Sequence, residues 1–187
     1  MAAVKLLGVS GSIRPGSHNL AALEAARAVL PAGATLDIVD LKGVPVYSEE
    51  VLKGGFPPAV QDFRERAGAA DAVLFASPEY NYSISASLKA ALEWASRPPN
   101  PPLGGKPCAI MGASTSPLGT LRGQSHLRQV CVSLNLIPLN APTVDIPEAQ
   151  KKCDAGGALT DAPTRELIRQ LVTALVEFTG RLKGIKA

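Results

Sequence analysis

Residues 4–19 read VKLLGVSGSIRPGSHN, and the change of character along this stretch decides the fold. Val4 to Val9 form a short apolar run closed by Ser10, Gly11 and Ser12, the signature of a strand buried on both faces and followed by a turn. Ser17 or Asn19 can then cap a helix, because Leu20, Leu23, Ala26 and Leu30 recur at helical spacing until Pro31 and Gly33 stop it. Strand, loop and helix thus follow one another within thirty residues. The same alternation runs on: a second strand at 35–39, a helix at 62–70 behind Pro57 and Pro58, and a third strand at 72–76. A third helix carries Ile84, Leu88, Leu92 and Ala95, with a fourth strand at 108–111, a fourth helix at 121–134 and a short fifth strand at 136–139. Asp161 and Pro163 open a last helix through Leu167, Leu171, Leu175 and Phe178.

Alternating strands and helices need right-handed crossovers and a parallel sheet covered on both faces, which predicts an α/β fold, a three-layer α/β/α sandwich. Five strands, with a Gly/Ser-rich loop directly after the first, suggest the flavodoxin-like order 2-1-3-4-5. A ligand is then expected at the switch point, outside the carboxyl ends of strands one and three. A chain of 187 residues and 19.4 kDa fits one domain over 1–187, large enough to bury roughly 70% of its unfolded surface without disulfides or a structural metal. The composition, 46% hydrophobic and 19% charged, excludes a disordered chain. With 19 Lys and Arg against 16 Asp and Glu, and no clustered patch, no nucleic-acid or membrane partner is expected. Cys108, Cys131 and Cys153 are scattered and the chain has two histidines, so no metal site is expected and reduced thiols fit a cytoplasmic protein. The opening MAAVKLLGVSGS lacks an extended apolar segment, which predicts no export or membrane signal. The proline-rich stretch 97–107 reads as a surface connection, with a PxxP docking ligand as the alternative.

Three loops at predicted strand ends carry the candidate chemistry. Loop 11–19 gathers glycines, hydroxyls, Arg14 and a helix N-terminus, so its N–H groups, the helix dipole and a guanidinium fork converge on an anion. The plainer alternative is a tight turn with an ordinary serine cap. The loop is neither GxGxxG nor GxxxxGK[ST], which argues against a dinucleotide or triphosphate there. Loop 77–83, SPEYNYS, sets two aromatic rings and an amide beside the crevice, suited to a flat heteroaromatic ligand. Loop 112–119, GASTSPLG, lets backbone approach a ligand closely and offer amides to a ring carbonyl. Ser12 and Ser17 lack a GxSxG elbow and a plausible His/Asp partner set, which argues against a hydrolase.

With GSIRPGSHN at 11–19, SPEYNYS at 77–83, LKAALEW at 88–94 and LGGKP at 103–107, the chain resembles the NADPH-dependent FMN reductases, particularly the chromate and quinone reductase branch. The resemblance runs from Val4 to the last helix. It implies that Ser12, Arg14, Ser17 and Asn19 hold the FMN phosphate, with His18 beside them in the cofactor-binding set. It further implies that Pro78, Glu79, Tyr80 and Asn81 border the isoalloxazine and that Ser114, Thr115 and Ser116 face its other polar edge. NADPH or NADH would deliver hydride to the flavin, and a small-molecule acceptor (a quinone, chromate, an azo compound or free flavin) would then take its place, with no side chain acting as acid, base or nucleophile. Relatives are commonly homodimers or homotetramers, which makes Tyr82 and the segment 122–128 candidate contact surfaces, although Ser125 stands where chromate-reducing relatives carry an aromatic residue. A flavodoxin-like electron carrier is the alternative function, and the net charge of +3 disfavours it because carriers are typically strongly acidic.

Overall fold

Leu6, Leu7 and Val9 on the first strand point alternately to two separate buried clusters, and that alternation organises the whole computed structural model, which describes residues 3–185. In chain order the elements are β1 (Val4–Ser10), α1 (His18–Ala28), β2 (Ala34–Val39), α2 (Glu49–Lys53), α3 (Pro58–Ala69) and β3 (Ala72–Ala76). There follow α4 (Ala86–Ala95), β4 (Pro107–Ala113), α5 (Leu121–Ser133), β5 (Ile137–Pro138), β6 (Val144–Ile146), a 3-10 turn (Ala149–Lys151) and α6 (Ala162–Ile185). Every strand pairing is parallel and the path runs β2-β1-β3-β4-β5, the order expected from the sequence.

On one face, Leu74, Met111 and Val144 pack against Leu23 of α1 and Ile168, Leu171, Val172 and Leu175 of α6. On the other, Val73, Phe75 and Ile110 meet Phe63 of α3, Leu88 and Leu92 of α4 and Leu127 of α5. All five residues of β3 are buried, and removing one such large apolar side chain from water contributes about 1.5–3 kcal/mol.

Two expectations need correction, and one short helix was not expected. The fifth strand is not one run over 136–139: β5 pairs with the start of β4 at Pro107 and Cys108, while β6 pairs with its end at Met111, Gly112 and Ala113. The sheet therefore has six strands, because the polar turn 140–143 interrupts the edge and three residues of β6 are too few to show a periodicity. The short α2, capped by Ser48 and burying none of its residues, had no apolar stripe to reveal it. Leu167 is 41% exposed, and Ile168 takes the inward place expected of it on α6. Other boundaries shift slightly: α3 begins at Pro58, where a missing N–H costs nothing. The proline-rich connection is fastened to the body, with Arg64 donating to the carbonyls of Trp94, Ala95, Pro99 and Asn100 and Leu103 buried beneath. That anchoring favours the connection over a docking ligand. No described helix is long and apolar enough to cross a membrane.

Candidate functional site

The parallel sheet aims the loops after β1, β3 and β4 at the same edge. The first two are locked together at Gly11, whose N–H donates to the Ala76 carbonyl at 2.8 Å and whose carbonyl accepts from Ser85 Oγ at 2.5 Å and Ser87 Oγ at 2.9 Å. A Cβ on Gly11 would lie 2.9 Å from Pro78 Cδ, so buried Pro78 serves as a spacer between loops. Ser17 is the cap of α1, its Oγ accepting from Leu20 N at 3.2 Å, which decides between the two expected caps. Among the described residues the N–H groups of Gly16, Ser17, His18 and Asn19 donate to no protein acceptor. They form the positive end of the helix, and exposed Arg14, whose Nη2 donates to the Gly16 carbonyl at 3.0 Å, folds over the same loop. Ser12 Oγ stands 3.5 Å from Arg14 N.

The side chain of Asn19 does something other than the resemblance implied. It is buried and spans 94 residues, Nδ2 donating to the Ala113 carbonyl at 3.0 Å and Oδ1 accepting from Ala113 N at 2.9 Å. Only its backbone N–H remains for an anion, and its amide group fixes β4 relative to α1. His18, at the first position of the helix, turns its Nδ1 to Cys153 Sγ at 3.6 Å; burial, and secondarily Arg14, lower its pKa, favouring the neutral ring.

In the loop after β3, Tyr80 and Ser83 exchange both backbone hydrogen bonds across Asn81 and Tyr82, which lie at φ 50° and 65°. Two successive left-handed residues make a type I′ turn, a costly geometry for a tyrosine. Glu79 lines the cleft and also reaches α5. Its Oε2 accepts from Gly123 N at 2.9 Å, capping the start of α5, and its Oε1 lies 3.8 Å from Arg122. The carboxylate thus holds the β3 loop to α5 from a position on the cleft wall. Tyr80 is half exposed.

The loop after β4 closes the other side. Ser114 N donates to the Ile146 carbonyl, and Ser116 accepts from Glu148 N and Gly119 N, so the loop is braced by the segment after β6. Between the second and third loops lies a cleft of about 480 Å³ lined by Glu79, Asn81, Tyr82, Ser114, Ser116, Leu118, Gly119 and Arg122. Thr115 is exposed and does not line it. Asp145 supports this wall: its Oδ1 accepts from Thr120 N at 2.7 Å and Thr120 Oγ1 at 2.9 Å, and Gln124 Nε2 links Thr120 to the Val144 carbonyl. Leu118 and Gly119 fall in the loop 112–119 expected from the sequence, whereas Asp145 was not singled out. Cys108 and Cys131 are both buried, which keeps their thiols from solvent.

The family model for the NADPH-dependent FMN reductases matches residues 4–151. The chain belongs to that family. It is 52% identical over 181 residues to an NAD(P)H-dependent FMN reductase of Pseudomonas aeruginosa, covering 97% of this chain and 98% of the relative. It is 39% identical to an NADPH:quinone oxidoreductase of Arabidopsis thaliana, covering 97% and 94%. Among solved structures it is similar to FerB, a flavoenzyme NAD(P)H:(acceptor) oxidoreductase from Paracoccus denitrificans, with TM-score 0.85, 25% identity, and 95% and 98% coverage.

Proposed function

We propose that this chain is an FMN-dependent NAD(P)H oxidoreductase that reduces quinones, and that 1–187 acts as one FMN-binding domain. The observation that carries the reading is that, among the described residues, the N–H groups of Gly16 to Asn19, at and just before the start of α1, meet no protein acceptor, with Arg14 in the same loop, on the sheet edge that also carries the cleft bounded by the β3 and β4 loops. These features fit the group. A phosphomonoester satisfies donors that no protein acceptor takes, and a 480 Å³ cleft lies within the range of small-ligand sites, roughly 300–1,000 Å³.

In this reading Ser12, Arg14 and the amides of Ser17, His18 and Asn19 hold the phosphate. Asn81, Ser114 and Ser116 border the ring system, with Pro78, Glu79 and the Asn19 side chain positioning the loops that do so. Bound FMN supplies the two-electron chemistry between nicotinamide and acceptor. The chain itself contributes position and donors, and its residues need neither give nor take a proton. Quinone reduction is the assignment; chromate, azo compounds and free flavin are further acceptors for the same open cleft. Steady-state oxidation of NADPH or NADH with a quinone tests it. Turnover is expected, and flavin reduction without turnover would leave only an electron carrier.

Arg14 offers the sharpest single-residue test. Arg14→Ala is expected to weaken FMN binding by about 1–3 kcal/mol, the value of a charged donor facing an anion, measured by titrating the apoprotein with FMN. An unchanged dissociation constant would remove Arg14 from the phosphate site.

We further propose that the enzyme works in the cytoplasm as a homodimer or homotetramer. Tyr82 and Leu118, both 61% exposed, and Leu121 at 52% put apolar surface at the cleft mouth, and a groove of about 700 Å³ between α4 and α5 adds Ile84, Leu92, Val130 and Leu134. Light scattering reads the assembly directly, and a monomer mass at working concentration would contradict it.

A further inference from the structure

Ser85 and Ser87 stand at the start of α4, and both turn their hydroxyls to one atom, the carbonyl oxygen of Gly11 at the base of the loop after β1. The Oγ distances are 2.5 and 2.9 Å, so both lone pairs of that oxygen are taken. Buried Ser85 also accepts from Leu88 N at 3.2 Å as the cap of α4, which makes a chain of donors from the helix start through the hydroxyl to the loop. Half-buried Ser87 caps nothing; its hydroxyl meets Gly11 and, at 3.2 Å, Ser85 Oγ. Neither serine lines the cleft or the groove between α4 and α5.

Gly11 is held from its other sides as well. Its N–H is bound to Ala76, and a Cβ there would crowd Pro78 Cδ at 2.9 Å and Ser85 Oγ at 3.3 Å, so the missing side chain is what lets α4 and Pro78 close on it. The clamp sets the direction in which the chain leaves β1. A trans peptide carries its N–H opposite its carbonyl, so fixing the Gly11 carbonyl against α4 turns the N–H of Ser12 away from that helix. The two hydroxyls also satisfy the negative end of a carbonyl at the base of a loop whose N–H groups await an anion.

We propose that Ser85 and Ser87 are positioning residues for the phosphate of the flavin, acting through Gly11 to hold residues 12–19 in the arrangement that receives it. The inference rests on loop 11–19 being the phosphate site of the oxidoreductase proposed above. Without the hydroxyls the loop gains other arrangements, and affinity falls by the fraction of time it spends in them. The ring system, bordered by the β3 and β4 loops, loses little, so the loss is selective for the phosphorylated flavin.

The test compares FMN with riboflavin, which has the same ring and no phosphate, by fluorescence titration of the flavin-stripped full chain. Ser87→Ala is the primary variant because it leaves the cap of α4 in place. It is expected to weaken FMN about fivefold, the factor of one neutral hydrogen bond, and riboflavin by less than about twofold. Ser87→Thr, which keeps a hydroxyl, should stay within about twofold of wild type for both, and Ser85→Ala combined with Ser87→Ala should cost FMN about tenfold or more. Urea unfolding separates the part of the Ser85→Ala effect that belongs to the lost cap. Equal weakening of FMN and riboflavin in Ser87→Ala, or no change in either, overturns the inference while leaving the oxidoreductase intact. A wild-type protein that binds FMN no more tightly than riboflavin removes the phosphate site itself and this inference with it.

Discussion

Gly112→Ala is expected to destabilise the fold by roughly 3 kcal/mol or more, since overpacking costs typically 1–3 and the displaced buried hydrogen bonds add to it. Gly112 sits in β4 opposite Asp145 of β6, and an alanine methyl there would overlap both Thr120 Oγ1 and the Ser77 carbonyl oxygen. Neither can give way easily. Ser77 is buried backbone at the end of β3, and Thr120 is bound to Asp145 and Gln124. The same wall explains Gly119, where φ is +63° and a methyl would strike the Asp145 carboxylate. Gly16 is the contrast: its φ is +66°, but nothing lies within 4 Å of where a Cβ would stand, so Gly16→Ala pays only for backbone strain, of order 1–2 kcal/mol. Denaturant midpoints of the two variants should therefore separate widely, with Gly112→Ala the weaker. A wild-type midpoint for Gly112→Ala would mean that β4 and Thr120 do not pack as described.

Asn19→Ala should cost roughly 2–5 kcal/mol of stability, because it strands both the N–H and the carbonyl of Ala113, a residue only 4% exposed, at about 1–3 kcal/mol for each buried orphan. The loss lies in the joint between α1 and β4, so it reaches the cofactor edge from two sides. Ser114 follows Ala113 directly, and the N–H groups proposed for the phosphate sit on the helix that Asn19 anchors. Urea unfolding and FMN titration should both register the change. Asn19→Asp should also fail to restore stability, since the donor to the Ala113 carbonyl is gone and a buried charge replaces it. If Asn19→Ala unfolds like wild type and loses only FMN affinity, the side chain touches the phosphate after all, as the resemblance first implied.

The sheet order and the three loop ends were legible because β1, β3 and β4 are buried on both faces and so write themselves as apolar runs. The split edge was not: β6 has three residues, and only its pairing with β4 makes it a strand. Site residues followed the same logic. Arg14 and Ser17 announce themselves by type and by their place before a helix, whereas Asn19 and Glu79 carry side chains whose partners lie 94 and 44 residues away. Local sequence shows that a polar residue sits near a ligand edge. It cannot show that its hydrogen bonds are already taken by a distant backbone. Asp145 is the extreme case, an acid on an edge strand whose role is defined by Thr120 and by Gly119, which makes room for it.

Flavin retention tests the central claim most directly. The chain is purified with excess FMN, desalted, and its visible spectrum recorded before and after anaerobic addition of NADPH, with circular dichroism to establish that it is folded. A yellow protein holding FMN in equimolar amount and bleaching on reduction is the expected result. A folded protein that emerges colourless would contradict the account.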